Sequence, residues 1–192
     1  MTLLKVKEVR ADSVQLVSKT MNKFLRKNKY NLYLLVIGLV LILFLGIFAK
    51  SKIDNSKMAK YDNDIVIIKG NGDEIKSFSI KELTKLASKK DVYVNNGLEK
   101  VKIEGISLEK LVGNLDYNLR ERPIISIEDT DGNSSRFPMS IALEVDRVYL
   151  VYKIDGEPVS EYNPSYGTLA IIDTTTKSAN SWITNVKTLN IQ

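Results

Sequence analysis

The residues of this chain best suited to contact chemistry are aromatic and lie near its C-terminus. Tyr149, Tyr152, Tyr162, Tyr166 and Trp182 fall close together, and residues 159–168 read VSEYNPSYGT. A loop of aromatic and small polar residues suits contact with a peptide or a glycan, because rings supply area at low entropic cost. Tyr162, Tyr166, Gly167 and Trp182 are therefore the candidate binding residues. The competing reading packs Tyr149 and Tyr152 under a sheet, with the loop as its cover.

Catalytic constellations are scarce. The 192 residues include no His and no Cys. That removes thiol nucleophiles, disulfides, imidazole acid–base chemistry and Cys or His metal sites together. Glu104, Glu128, Asp129, Glu144, Asp146, Glu157 and Asp173 are scattered without a partner base and read as solvated surface. Asp129-x-Asp131-x-Asn133 places oxygen ligands at alternate positions. A calcium loop would also need Gly at its sixth position and Glu at its twelfth, where Ser134 and Ser140 stand. A plain Asp-Gly hairpin turn is the expected reading. The glycines sit singly in turns, so there is no phosphate loop. The residues name no catalytic group and no metal site.

Charge and hydropathy divide the chain. Residues 1–30 carry eight basic groups against Glu8 and Asp12, a net of +6, and residues 31–49 carry none; the rest, at −1, completes the total of +5. The basic balance belongs to the tail and gives no reason to expect nucleic-acid binding by the remainder. Leu32 to Ala49 is an uncharged apolar run, and as a helix it spans ~27 Å, close to the ~30 Å hydrocarbon core of a bilayer. Tyr30 and Tyr33 suit the interface. The basic region and the apolar run are both too long for an ordinary cleaved signal, and Ile47-Phe48-Ala49 offers no small-x-small site, so a retained anchor is expected. Lys19, Lys23, Arg26, Lys27 and Lys29 precede it without acidic neighbours. The bias places the N-terminus in the cytoplasm and the C-terminal domain outside a cell membrane. The expected organisation is a cytoplasmic basic arm over 1–30, a transmembrane helix over 31–49, a polar linker over 50–63 and an extracytoplasmic domain over 64–192. Apolar residues at helical spacing between Val14 and Leu25 fit either an amphipathic helix on the inner leaflet or an unfolded retention signal.

The elements that must position the aromatic loop follow. Ile65–Ile68 and Ile75–Phe78 read as strands around Gly70-Asn71-Gly72. Ser79 and Glu82 form a capping box before IKELTKLASKK, a helix with Ile80, Leu83 and Leu86 inward. Short strands at Val92–Val94 and Val101–Ile103 flank Asn95-Asn96-Gly97, and Ser107 opens a short helix ended by Gly113. Ile124–Ile127, Ser135–Phe137, Val148–Ile154, Leu169–Ile172 and Val186–Ile191 read as strands, with one helical turn after Pro138. The sum is a mixed, mostly β, α+β domain.

The order of these motifs resembles the sulfite-oxidase-type molybdopterin-binding domain. IEGISLEKLV (103–112) is similar to that family's helix entry, IEDTDGNSSRFPM (127–139) to its strand, Asp-Gly turn and return, and VYLVYKIDGEPVS (148–160) to its strand and Gly-x-Pro turn. Gly167 to Ile172, then Ser181-Trp182-Ile183 and Val186–Ile191, resemble its last strands. The resemblance covers about residues 64–192. It implies that fold and, as an alternative to no cofactor, molybdopterin. The family's enzymes bind molybdenum through a cysteine thiolate, and this chain has none. Gly167-Thr168-Leu169-Ala170 stands where the family usually has Gly-x-Pro-x-Arg, and Ser181 where a basic residue usually adjoins the tryptophan.

The expected function is a non-catalytic, membrane-anchored binding module on this fold, a pseudoenzyme with an envelope protein or a glycan as partner. The alternatives are a divergent molybdopterin-dependent oxidoreductase subunit and a scaffold for an envelope complex.

Overall fold

A computed structural model describes residues 29–115, 118, 119 and 121–192. The arm expected over 1–30 lies almost wholly outside the described residues. The chain divides into two units, 1–52 and 53–192.

Within the first unit lies most of helix α1 (Lys29–Ala59). Over Tyr33–Lys50 its mean hydropathy is 2.6 and none of it is buried. Length and composition suffice to cross a membrane, and leucines and isoleucines are exposed nearly all round it. The segment read as a polar linker remains helical to Ala59. The reason is visible in the second unit, where Met58 is buried in the core and the Tyr61 N–H closes the last turn onto the Met58 carbonyl.

The second unit is built from two five-stranded sheets. The first has the order β2-β1-β10-β5-β6, with β1 (Ile65–Gly70), β2 (Asp73–Ser79), β5 (Ile124–Asp129), β6 (Ser134–Pro138) and β10 (Val186–Ile191). Its first and last strands in the sequence, β1 and β10, pair in parallel at the sheet centre. The second sheet runs β3-β4-β7-β8, with β3 (Ser88–Val94), β4 (Glu99–Ser107), β7 (Val148–Ile154) and β8 (Glu157–Pro158); β9 (Ala170–Asp173) pairs β7 beside β8. Helices α2 (Ile80–Leu86) and α3 (Leu108–Gly113), and single turns α4 (Met139–Ala142) and α5 (Val159–Tyr162), complete it.

Two apolar clusters hold the unit together. Val66, Ile68, Ile125, Leu189 and Ile191 from the first sheet meet Leu150 and Ile106 from the second, with Ile80, Leu83 and Leu111 from the helices. The other face of the second sheet, with Val101, Ile103, Tyr149 and Val151, buries Val159, Ile172 and Trp182. Every residue of β7 is therefore buried. The switch of faces occurs at a bulge. Glu104 pairs with Lys153 but Gly105 with Val151, so Tyr152 is the extra residue. A Cβ at Gly105 would run into the Leu150 carbonyl, which is why β4 takes glycine opposite this bulge in β7.

One expected element differs. The capping box forms, with the Glu82 N–H donating to Ser79 Oγ and the Ser79 N–H to the Glu82 carboxylate. Helix α2 nevertheless stops at Leu86, which is exposed. Ser88–Lys90 leave the helical run to pair with Ile103–Gly105. Seven ladder pairings override the helical propensity of Lys89 and Lys90.

Candidate functional site

The aromatic loop is fixed by its own polar residues. After β7, Asp155 and Gly156 adopt positive φ and turn the chain into β8 and α5. Asn163 Oδ1 then accepts from the Ser165 N–H and hydroxyl at 3.0 and 2.8 Å, capping a short turn with Pro164 at its start. Gly167 has φ +67, and a Cβ there would strike the Asn185 side chain. Asn185 Nδ2 donates to the Ser165 carbonyl at 3.0 Å, and the Asn185 N–H to that of Tyr166 at 2.8 Å. Backbone and amide contacts thus hold Pro164–Gly167 from behind.

The four expected binding residues take different positions. Tyr162 is 39% exposed, whereas Trp182 is 8% exposed and belongs to the second core. Tyr166 is half-buried and meets Trp182 edge to face. Tyr162 lines a cleft of about 310 Å³ with Asn95, Asn96, Glu99, Ser178 and Asn180. Gly167 lines a second, of about 450 Å³, with Asp64, Thr130, Thr168, Asn185 and Lys187. Tyr149 and Tyr152 lie in the interior, as the covering-loop reading required of them. Burial, reinforced by the nearby Glu104 carboxylate, pushes the Tyr152 hydroxyl up to about 12.

The sequence reading passed over the polar half of the smaller cleft. Asn95 and Asn96 were visible only as a hairpin turn, and Asn180 carried no signal. Asn95, Asn96 and Gly97 have consecutive positive φ values of 55, 58 and 87 degrees. The Asn96 N–H donates to the Lys177 carbonyl at 2.9 Å, which brings the segment before Trp182 alongside this turn. Asn95 Nδ2 reaches Glu99 at 3.4 Å. Burial first, and then Asp155 and Glu99, raise the Tyr162 hydroxyl above its ordinary value.

Two expected surface carboxylates are structural. Asp173 takes the Arg147 guanidinium on both oxygens at 3.1–3.2 Å, with only 11% of its side chain exposed. Burial raises its pKa, but Arg147 and the Thr175 N–H and hydroxyl outweigh that and leave it below the usual carboxylate value. Glu104 is 15% exposed and pairs with Lys89 at 2.9 Å. Both are partners within the fold rather than solvated groups. Asp129 is spent on its own hairpin, accepting from the Asp131 and Asn133 N–H groups and from the Asn133 amide. Among the described residues no group of three acidic side chains converges to hold a metal.

A molybdopterin would ask for several cationic donors at its phosphate and a soft thiolate at its metal. Lys187 and Asp64 are the charged residues of the larger cleft, Glu99 that of the smaller, and the chain has no thiol. The residues present do not fit the group.

No family model matches the chain, and no curated protein matches it in sequence. Among solved structures it is similar to the sulfane dehydrogenase SoxCD of Paracoccus pantotrophus, at 18% identity and a TM-score of 0.51, over 68% of this chain and 38% of that one. The chain thus spans well under half of that neighbour. The likeness is one of fold. It supports the mixed, mostly β, α+β architecture of sulfite-oxidase type, here preceded by one helix long and apolar enough to cross a membrane.

Proposed function

We propose that this chain is a non-catalytic binding module, tethered to the cell membrane by α1 and held outside it, whose working surface is the Glu161–Gly167 loop. The observation that carries the reading is the division of labour among the aromatic residues. Trp182 is core and Tyr166 leans on it, while Tyr162 stands exposed at the edge of a cleft. Tyr162 ends the turn α5, which the Asn163 N–H closes onto the Val159 carbonyl at 3.0 Å, and a ring presented from such fixed backbone lowers the entropic cost of binding. The tether is supported by the apolar span and by the basic arm before it.

The fold likeness favours a second reading, a divergent subunit that keeps a molybdopterin. One preparation separates the two. The full chain is expressed in a host that makes molybdopterin, purified in detergent, and analysed for molybdenum and for reduction of dye acceptors. The binding-module reading expects neither stoichiometric metal nor activity. Molybdenum at about one atom per chain overturns it.

A further inference from the structure

We infer that the cleft between the Asn95–Gly97 turn and Tyr162 is a binding site for a neutral saccharide; this rests on the binding-module reading and names its ligand class. The cleft, about 310 Å³, lies at the lower end of the ~300–1,000 Å³ range of small-ligand sites. That suits a ligand contacted over one or two rings.

Its chemistry selects hydroxyls and amides. The side-chain amides of Asn96 and Asn180 line the cleft and are exposed to solvent, free to turn toward a ligand. Each offers a donor and an acceptor in one plane, the pattern that vicinal hydroxyls or an acetamido group require. Glu99 adds a carboxylate acceptor, and Tyr162 an aromatic face beside the polar groups. An amphipathic sugar ring presents C–H faces and hydroxyl edges, and this combination of ring and amides meets both.

Charge at the cleft is mixed. Glu99 lines it, while the Lys177 side chain lies over Gly97 at its edge, so the cleft offers no cluster of cations to an anion, and a neutral ligand meets no like charge.

The turn is defined by its backbone. Two non-glycine residues in succession, Asn95 and Asn96, hold left-handed backbone before Gly97. Asn adopts this region more readily than other non-glycine residues, so the turn is stable as it stands. The Asn96 N–H bond to the Lys177 carbonyl fixes it beside the 3-10 turn Ala179–Ser181 that carries Asn180.

The test uses the full chain in detergent and its single tryptophan. Trp182 follows Asn180 by two residues and reports on the cleft by its emission. The probes are the tetramer of N-acetylglucosamine and maltotetraose, which separate acetamido from hydroxyl recognition, with tetralysine and inorganic phosphate alongside. Saturable change with either saccharide supports the site. Asn96→Gly keeps the positive φ while removing the amide, so it is expected to weaken binding about tenfold, roughly one lost hydrogen bond's worth. Tyr162→Ala is expected to do the same, and Val145→Ala, on an exposed residue elsewhere, to change nothing. Absence of a saturable response to both saccharides overturns the inference, as does unchanged affinity in Asn96→Gly. Tighter binding of tetralysine or phosphate than of either saccharide overturns it too. The molybdenum content of the same preparation decides the parent reading separately: a metal-free protein that ignores saccharides loses only the ligand class.

Discussion

The rings of Tyr166 and Trp182 meet edge to face, with centroids 5.9 Å apart and planes inclined at 68°. The contact marks the boundary between what supports the loop and what the loop presents. Trp182 packs with Val101, Ile103, Val151 and Ile172, so Trp182→Ala is expected to destabilise the fold by about 3–5 kcal/mol. Tyr162→Ala removes an exposed ring and is expected to stay within about 0.5 kcal/mol of the parent. Thermal unfolding of the two variants checks the pair. A large loss in Tyr162→Ala would make that ring a structural one.

The end of α1 belongs to the folded unit. Met58 is buried, and Lys57 and Lys60 reach Glu157 and Glu161 at 2.5 and 2.6 Å. The hydrogen bond to Glu161 pushes the Lys60 ammonium up to about 12. The exposed pairs add little stability, while the methionine fills core volume. A fragment beginning at residue 64, the boundary expected from composition, is therefore predicted to be less stable than one beginning at residue 53 by about 2 kcal/mol or more, in line with losing a buried methionine. Urea unfolding of the two fragments measures the difference, and equal midpoints would place Met58 outside the core.

What the sequence disclosed and what it hid follow from the range of the interactions involved. The β7 strand, Val148–Ile154, was legible because Val148, Tyr149, Val151, Tyr152 and Ile154 favour extended backbone and none of its residues carries a turn signal. The capping box at Ser79 and Glu82 was legible because its bonds lie three residues apart. The end of α2 was not, because Ser88–Lys90 are held by Ile103–Gly105 across the sheet. The smaller cleft was half legible. Tyr162 stood out by type, but Asn95, Asn96 and Asn180 join it only through the Lys177 contact, made across about eighty residues of chain. Asn185, which pins the loop, gave no local signal for the same reason.

Gly105 offers a sharp test of the bulge. Its missing side chain lets the Leu150 carbonyl and Val151 Cα come close as the ladder shifts. Gly105→Ala is expected to cost at least about 1–3 kcal/mol through overpacking of backbone that cannot yield. Gly113→Ala is the matched control, since an added Cβ there meets nothing within 4 Å. Comparing the two midpoints in denaturant separates the clash from a general effect of losing glycine.

The Arg147–Asp173 pair predicts a dependence on acid. The folded pKa of Asp173 lies below the ordinary carboxylate value. Its contribution is therefore complete above about pH 4, the unfolded value, and is lost as the pH falls through the folded one. Asp173→Asn keeps the shape but removes the charge, and is expected to lower stability at pH 7 by about 1–3 kcal/mol, the worth of a hydrogen bond to a charged group. The variant should also lose less than the parent between pH 5 and pH 3. Urea midpoints at the three pH values give both readings, and parallel acid limbs would show that other carboxylates govern the decline.

Orientation can be read chemically because the chain contains no cysteine. Eight basic groups against two acidic ones precede the apolar span, and the proposed topology follows the tendency of such a bias to keep the flanking segment in the cytoplasm. One thiol at a time can then be introduced without background. Val145, 71% exposed, is a site in the domain, and Ser18 one in the arm. In intact cells a membrane-impermeant maleimide is expected to label Val145→Cys, and to label Ser18→Cys only after permeabilisation. Because the reagent carries a mass tag, the shift in gel mobility gives the labelled fraction in each case. Labelling of Ser18→Cys alone in intact cells would invert the topology and place the Tyr162 cleft in the cytoplasm, away from any extracellular glycan. Labelling of both sites only after permeabilisation would mean that the apolar helix does not carry the domain across.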